Sequence, residues 1–238
     1  MNTALKTTYI DNVIPFPGAV DNRRTTSIYK SDGKPKATPA DPIRDTADIE
    51  RIKNHFLSKG QRRNYTIFMV GIIFGLRASD LLSLRVHHIL NPDGSFKSHC
   101  DIIESKTRKY NRPNIDAKMR AFLADYLNWL DDYDYDDYLF RSKKKDAEGK
   151  WRAIDVTSFN RILAKTSREL GLNFHFSSHS LRKTFAYQLL QQNPADDEAK
   201  FALQRMLNHN DFKTTITYCG LQQDTLDKYR DGLAEAFI

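Results

Sequence analysis

Cysteine and long apolar runs are scarce in this sequence. Two of the 238 residues are cysteines, Cys100 and Cys219; this is too few for a disulfide framework or a cysteine-rich metal site and fits a reducing compartment. The most apolar stretch, residues 67–76, is much shorter than the roughly 20 residues that cross a bilayer. The first residues lack the basic and apolar regions of a secretory signal. We therefore expect a cytoplasmic protein with no membrane partner.

A glycine-rich phosphate loop is also missing, so we expect no nucleotide as an energy source. The composition does supply positive charge, because 37 Lys and Arg residues against 30 Asp and Glu residues give a formal net charge of +7. This excess favours an acidic partner. A hydrophobic fraction of 40%, with 14 Phe and 11 Tyr, is sufficient for a folded core and excludes a wholly disordered basic chain.

The chain divides into two parts by composition. Five of the eight prolines lie within residues 1–45, mixed with small and polar residues and without a sustained hydrophobic period. Such a segment is typical of a flexible arm. We therefore predict an arm over residues 1–45 and a folded domain over residues 46–238.

Helical periodicity dominates the predicted domain. Residues 95–116 differ, because β-forming residues flank a turn-like Lys-Thr-Arg-Lys segment, which predicts a hairpin. We predict a mainly α fold with a small antiparallel β-sheet, of the α+β class. The predicted helices span residues 46–59, 66–75, 78–84, 117–130, 156–170, 179–192, 196–207 and about 222–236.

Four short patterns carry the functional signal: GLRASDLLSLR at 75–85, ESKTRKY at 104–110, HSLRKTFA at 179–186 and LNHNDFKTTITYCG at 207–220. In this order they resemble the active-site boxes of the tyrosine recombinase or phage integrase family, over about residues 46–238. The resemblance implies that fold and a set of six catalytic residues. These are Arg77, Lys106, His179, Arg182, His209 and Tyr218.

The residue types at these positions suit phosphodiester cleavage. Negative charge develops on two non-bridging oxygens, which the guanidinium groups of Arg77 and Arg182 can bind bidentately. His179 precedes Arg182 by three residues, so both side chains share one helix face. A phenol has a pKa of about 10, so Tyr218 needs nearby cations and a proton acceptor. Lys106 is a candidate general acid for the leaving 5′ oxygen.

Two of these assignments have alternatives within the same segments. Arg77 is three residues before Asp80 in a predicted helix, and the two side chains could simply form a surface ion pair. Arg108 and Lys109 lie close to Lys106 at the predicted turn, and any of the three could merely touch a phosphate. Asp80 itself is expected to position Arg77 or to form a local cap.

The histidines and one asparagine raise further questions. His175, His179 and His209 could bind a metal, but no Cys or carboxylate lies at matching ligand spacing. We predict no metal and no cofactor. Asn208 stands where the family usually has glycine, and asparagine tolerates a left-handed backbone. Lys183 follows Arg182 where many members have histidine, and it would add a phosphate contact.

The resemblance implies a site-specific DNA recombinase or integrase that acts through a 3′-phosphotyrosine at Tyr218, as a tetramer on double-stranded DNA with specific recombination sites. The protein would originate from a bacterium, a phage or a mobile element and would associate with the nucleoid. The alternatives are a DNA-binding regulator of the same fold and a type IB topoisomerase-like or resolving enzyme. Basic residues expected to contact DNA are Arg108, Lys109, Arg112 and Lys183.

Family members that act alone usually carry another helical DNA-binding domain before the catalytic one. Here about 45 residues precede the predicted domain. The chain is therefore a compact single-domain member, a piece of a longer protein, or one half of a clamp completed by a partner. The apolar stripe of the predicted helix at about 222–236 packs on its own core or docks onto a neighbouring subunit, as the resemblance suggests.

Overall fold

Seven α-helices, one 3₁₀ helix and two small β-hairpins make up the part of the chain that the computed structural model describes, residues 40–194, 196–209 and 215. This confirms a mainly α fold with small antiparallel β-sheets. The helices are α1 (Thr46–Ser58), α2 (Arg62–Phe74), α3 (Ala78–Leu82), the 3₁₀ helix (Val86–His88), α4 (Ala117–Leu130), α5 (Val156–Leu170), α6 (Ser178–Gln192) and α7 (Asp197–Met206). The strands are β1 (Ile102–Ile103), β2 (Tyr110–Asn111), β3 (Arg141–Lys145) and β4 (Trp151–Ala153).

Aspartate N-caps fix where four of the helices begin. The side chains of Asp45, Asp116, Asp155 and Asp196 each accept a hydrogen bond from a backbone N–H in the first turn of α1, α4, α5 and α7. Each bond satisfies one of the N–H groups that a helix N-terminus leaves without an intrahelical partner. These caps explain why the predicted helix starts agree closely with the observed ones.

Helix α2 is the central helix of the core, as its apolar sequence predicted. Ile67 and Phe68 are fully buried, and α2 packs against α1, α3, α4 and α6. Gly71 permits the close approach of α6, because a Cβ atom at this position would lie 2.6 Å from Cδ1 of Leu181. The helix that carries Arg182 is therefore packed directly against the central helix of the fold.

The packed region begins before the predicted boundary at residue 46. The side chain of Ile43 is fully buried, and its backbone N–H donates to Oγ1 of Thr184 at 2.8 Å. Nε2 of Gln188 donates to the carbonyl oxygens of Ile43 and Arg44. Residues 40–45 thus belong to the domain rather than to the predicted arm. Residues 1–39 and the predicted helix at about 222–236 lie outside the described residues.

The two hairpins differ in how well the sequence predicted them. Strands β1 and β2 pair antiparallel with Ile103 opposite Tyr110, which confirms the hairpin around residues 106–109. The β3–β4 hairpin, with Lys145 opposite Trp151, was not predicted. Its first strand is rich in lysine and lacks apolar alternation, so the usual strand signal is absent. No helix within the described residues is long and apolar enough to span a membrane.

Candidate active site

Arg182 joins three of the four sequence patterns at one point. Its side chain, on α6, is 2% exposed. One terminal nitrogen donates to the carbonyl oxygen of Gly75 at 2.8 Å, and the other donates to that of Leu207 at 2.6 Å. The carbonyl groups at the ends of α2 and α7 therefore hold this guanidinium between them, and residues distant in sequence meet at one site.

Arg77 lies beside it, at the N-cap of α3. Its guanidinium forms an ion pair with the carboxylate of Glu104, whose other oxygen is 3.9 Å from a terminal nitrogen of Arg182. The Arg77 side chain is 17% exposed and that of Glu104 is fully buried. The predicted arginine pair thus converges on one acidic group, and the alternative pairing of Arg77 with Asp80 is not what the structure shows.

Glu104 is the acidic centre of the site and was not among the predicted residues. Burial by itself raises the pKa of its carboxyl, but hydrogen bonds from Thr107, Arg77, Asn111 and Asn208 outweigh that effect and hold the pKa below its usual value. The group is therefore a carboxylate at neutral pH. An acidic residue two positions before the candidate lysine was the available sequence signal.

The hairpin turn that carries Lys106 is anchored by Asp80. One carboxylate oxygen of Asp80 accepts from the backbone N–H of Ser105 at 2.9 Å and from its hydroxyl at 2.6 Å. The turn closes with the N–H of Arg108 donating to the carbonyl oxygen of Glu104 at 2.9 Å. Asp80 is thus buried and holds the residue next to Lys106, instead of positioning Arg77 as expected.

Positive charge surrounds His179 at the first turn of α6. Partial burial and the charges of Arg182, Lys183 and Lys106 lower the pKa of its imidazole below 6.5. The neutral form, which can accept a proton, therefore predominates at pH 7.

His209 lies just after α7 and is partly buried. Its Nδ1 is 3.1 Å from Oγ1 of Thr215, a buried residue of the following segment. Asn208 has a φ of 51°, the left-handed conformation that the asparagine was expected to tolerate. Tyr218 lies outside the described residues.

The other basic residues predicted to contact DNA fall into two groups. Arg108, Lys109 and Arg112 lie on or next to the β1–β2 hairpin, where Nε of Arg112 is 2.9 Å from a carboxylate oxygen of Asp101. Lys183 follows Arg182 on α6. No cluster of three His, Cys, Asp or Glu side chains suited to a metal ion occurs in the described part of the chain.

Comparison with known proteins identifies the family. The family model described as "Phage integrase family" matches residues 45–224. The "Probable integrase/recombinase YoeC" of Bacillus subtilis (strain 168) is 33% identical over 184 residues, which cover 77% of this chain and 91% of that protein. The "Tyrosine recombinase XerC" of Rickettsia bellii (strain OSU 85-389) is 31% identical over 157 residues, or 66% of this chain and 46% of that protein.

Solved structures share the fold at lower sequence identity. A crystal structure of XerA recombinase covers 82% of this chain and 66% of its own, with a TM-score of 0.59 and 20% identity. A lambda integrase dimer bound to a COC′ core site covers 78% and 49%, with a TM-score of 0.56 and 15% identity. This chain spans nearly all of YoeC but about half of the matched XerC and lambda integrase chains.

The chain belongs to the phage integrase family. Its relatives are tyrosine recombinases, so the predicted class of enzyme, a tyrosine-type site-specific recombinase, is confirmed.

Proposed function

We propose that this protein cleaves and rejoins double-stranded DNA at specific recombination sites through a covalent 3′-phosphotyrosine at Tyr218. The observation that supports this is the convergence of Arg77 and Arg182, from two distant sequence patterns, beside the hairpin turn that carries Lys106. Two guanidinium groups that meet beside one carboxylate match the two non-bridging oxygens of a phosphodiester under attack.

The proposed cleavage step is a balanced phosphoryl transfer. The phenol oxygen of Tyr218 forms a bond to phosphorus while the bond from phosphorus to the 5′ oxygen breaks. A proton leaves the phenol for a neutral histidine, and Lys106 gives a proton to the 5′ oxygen. The lowered pKa of His179 keeps its imidazole neutral at pH 7 and suits it to accept a proton or donate a hydrogen bond. His209 is the other candidate.

Rejoining reverses this step with the 5′ hydroxyl of a partner strand. The phosphotyrosine keeps the energy of the broken phosphodiester bond, so the scheme needs no nucleotide. Several of the matched structures are of recombinases bound to DNA. By analogy we propose DNA as the partner here and the nucleoid as the location, with Arg108, Lys109, Arg112 and Lys183 as phosphate contacts.

Assembly is the second part of the proposal. Strand exchange requires paired sites, and we propose a tetramer on DNA in which the segment at about 222–236 docks onto a neighbouring subunit. Deletion of residues 224–238 tests this: unchanged oligomerisation on DNA and unchanged strand exchange would exclude docking between subunits. Residues 1–39 of the predicted arm, which was given as residues 1–45, are proposed to act as that arm.

A supercoiled plasmid assay tests the activity. The plasmid carries two copies of the DNA that flanks the gene, and the control carries one copy. The proposal predicts inversion or deletion that requires both copies. Relaxation at any sequence would indicate a topoisomerase, and binding without cleavage would indicate a DNA-binding regulator. Either result would refute site-specific recombination.

A further inference from the structure

The β1–β2 hairpin touches the segment between α7 and His209 through several polar contacts. Nδ2 of Asn111 donates to the carbonyl oxygen of Met206 at 3.2 Å, and Nζ of Lys109 lies 3.3 Å from the carbonyl oxygen of Asn208. These contacts are made to backbone oxygens and would survive most substitutions in the α7 segment.

Asn208 contributes a contact of a different kind, through its side chain. Its Nδ2 donates to the carbonyl oxygen of Tyr110 at 3.3 Å, and the same side chain helps to lower the pKa of the buried Glu104 carboxyl. An ionised carboxylate only accepts, and an amide nitrogen carries two N–H donors, so Nδ2 can serve both oxygens. One amide group therefore bridges both sides of the hairpin, just before and just after the Lys106 turn.

The position of Asn208 makes this bridge specific to its side chain. The backbone is left-handed, with a φ of 51°. Glycine adopts that conformation with least strain, so the backbone alone gives no reason for an asparagine. A glycine here would keep the turn and lose the hydrogen bond to Tyr110 and the interaction with Glu104.

We propose that Asn208 is a positioning residue whose side-chain amide fixes the Lys106 hairpin against the segment that carries His209. The amide acts on the hairpin, which in turn places the lysine amine near the scissile phosphate. This inference rests on the proposed function for its catalytic consequence. Its structural content, a side-chain amide that adds to the backbone contacts between the hairpin and the α7 segment, is independent of that function.

The decisive variant is Asn208→Gly, with cleavage measured in a single turnover on a nicked suicide substrate. Displacement of a catalytic group by about 1 Å can cost on the order of 100-fold in rate, so we expect cleavage slowed about 10- to 100-fold. The DNA affinity should stay within about threefold of the wild-type value, because the phosphate contacts remain. Asn208→Asp, which keeps the size but removes the donor, should be slowed at least as much.

A substrate with sulfur in place of the bridging 5′ oxygen identifies which group was displaced. A thiol has a pKa of about 8.5, so a thiolate leaves without a proton from a general acid. Lys106→Ala is the reference variant, whose deficit this substrate should remove. If the amide positions Lys106, the same substrate should bring Asn208→Gly to within about threefold of the wild type. The proposal would be overturned if Asn208→Gly cleaved normal DNA at the wild-type rate. It would also be overturned if the sulfur substrate left the slow cleavage by Asn208→Gly unchanged.

Hydrogen exchange separates this inference from the proposed function. In Asn208→Gly, backbone amides of residues 101–112 should exchange faster than in the wild type, while those of α1 and α4 stay equally protected. If the wild type cleaves no DNA, the proposed function fails, and hydrogen exchange of the hairpin then tests the positioning role by itself. Unchanged protection of the hairpin in Asn208→Gly would overturn that role, and faster exchange would support it.

Discussion

Gly75 ends α2 at the point where Arg182 is held, and Gly75→Ala should be costly for two separate reasons. The φ of Gly75 is 61°, and a left-handed backbone costs an L-residue about 1–2 kcal/mol. A Cβ atom there would lie 2.3 Å from Cδ1 of Phe185, and overpacking typically costs about 1–3 kcal/mol. We therefore expect Gly75→Ala to lower the free energy of unfolding by about 2–5 kcal/mol.

Gly171→Ala is the matched control. Gly171 ends α5 with a φ of 60°, and a Cβ atom at this position would meet open space, with no neighbouring side chain of the described residues within 4 Å. This variant should lose only the backbone part, about 1–2 kcal/mol. Urea unfolding of both variants measures the difference, and in a Phe185→Ala background the extra cost of Gly75→Ala should vanish. Equal losses in the two glycine variants would refute the close-contact argument.

Three further predictions concern charge and packing. Because hydrogen bonds lower the pKa of the Glu104 carboxyl below 4.5, the ionised carboxylate stabilises the fold above that pH, and this stabilisation is lost as the pH falls through the lowered pKa. Glu104→Gln should remove this acid dependence of the free energy of unfolding in urea, and an unchanged pH profile would contradict the prediction. The imidazole of His179 should titrate below 6.5 by NMR, and Lys183→Ala should move the midpoint upward; an unmoved midpoint would exclude the Lys183 effect. Ile43→Ala should cost about 2–5 kcal/mol, whereas the control Ile103→Ala, at a side chain that is 64% exposed, should change stability little.

Local sequence signals predicted most of the fold because they correspond to local interactions. Four helices begin at an aspartate whose side chain caps the first turn, and the all-apolar stretch at 66–75 became part of the central helix. The β3–β4 hairpin was not predicted because its strands lack alternating apolar residues. They instead make a cation–π contact, in which Nζ of Lys145 lies 4.5 Å from the Trp151 ring centroid. The backbone of Ile43 is held by Thr184 and Gln188, which are distant in sequence and give no local signal.

At the site too, residues within a local sequence pattern were predicted, and a residue whose role depends on tertiary contacts was not. Pattern spacing brought Arg77, Lys106, His179 and Arg182 to attention, since each lies in a recognisable box. Glu104 did not stand out, because its role arises from two arginines that only the tertiary fold brings to it. The alternative pairing of Arg77 with Asp80 does not occur for the same reason: Ser105 from the hairpin hydrogen-bonds the Asp80 carboxylate.

Attack of Tyr218 on the phosphodiester is the core of the proposed function. The most direct measurement is mass spectrometry of the peptide that stays attached to a nicked suicide substrate after protease digestion. We predict a phosphodiester link between Tyr218 and the 3′ end of the cleaved strand, and no adduct with Tyr218→Phe. An adduct on another residue, or one that persists in Tyr218→Phe, would contradict the proposed role of Tyr218.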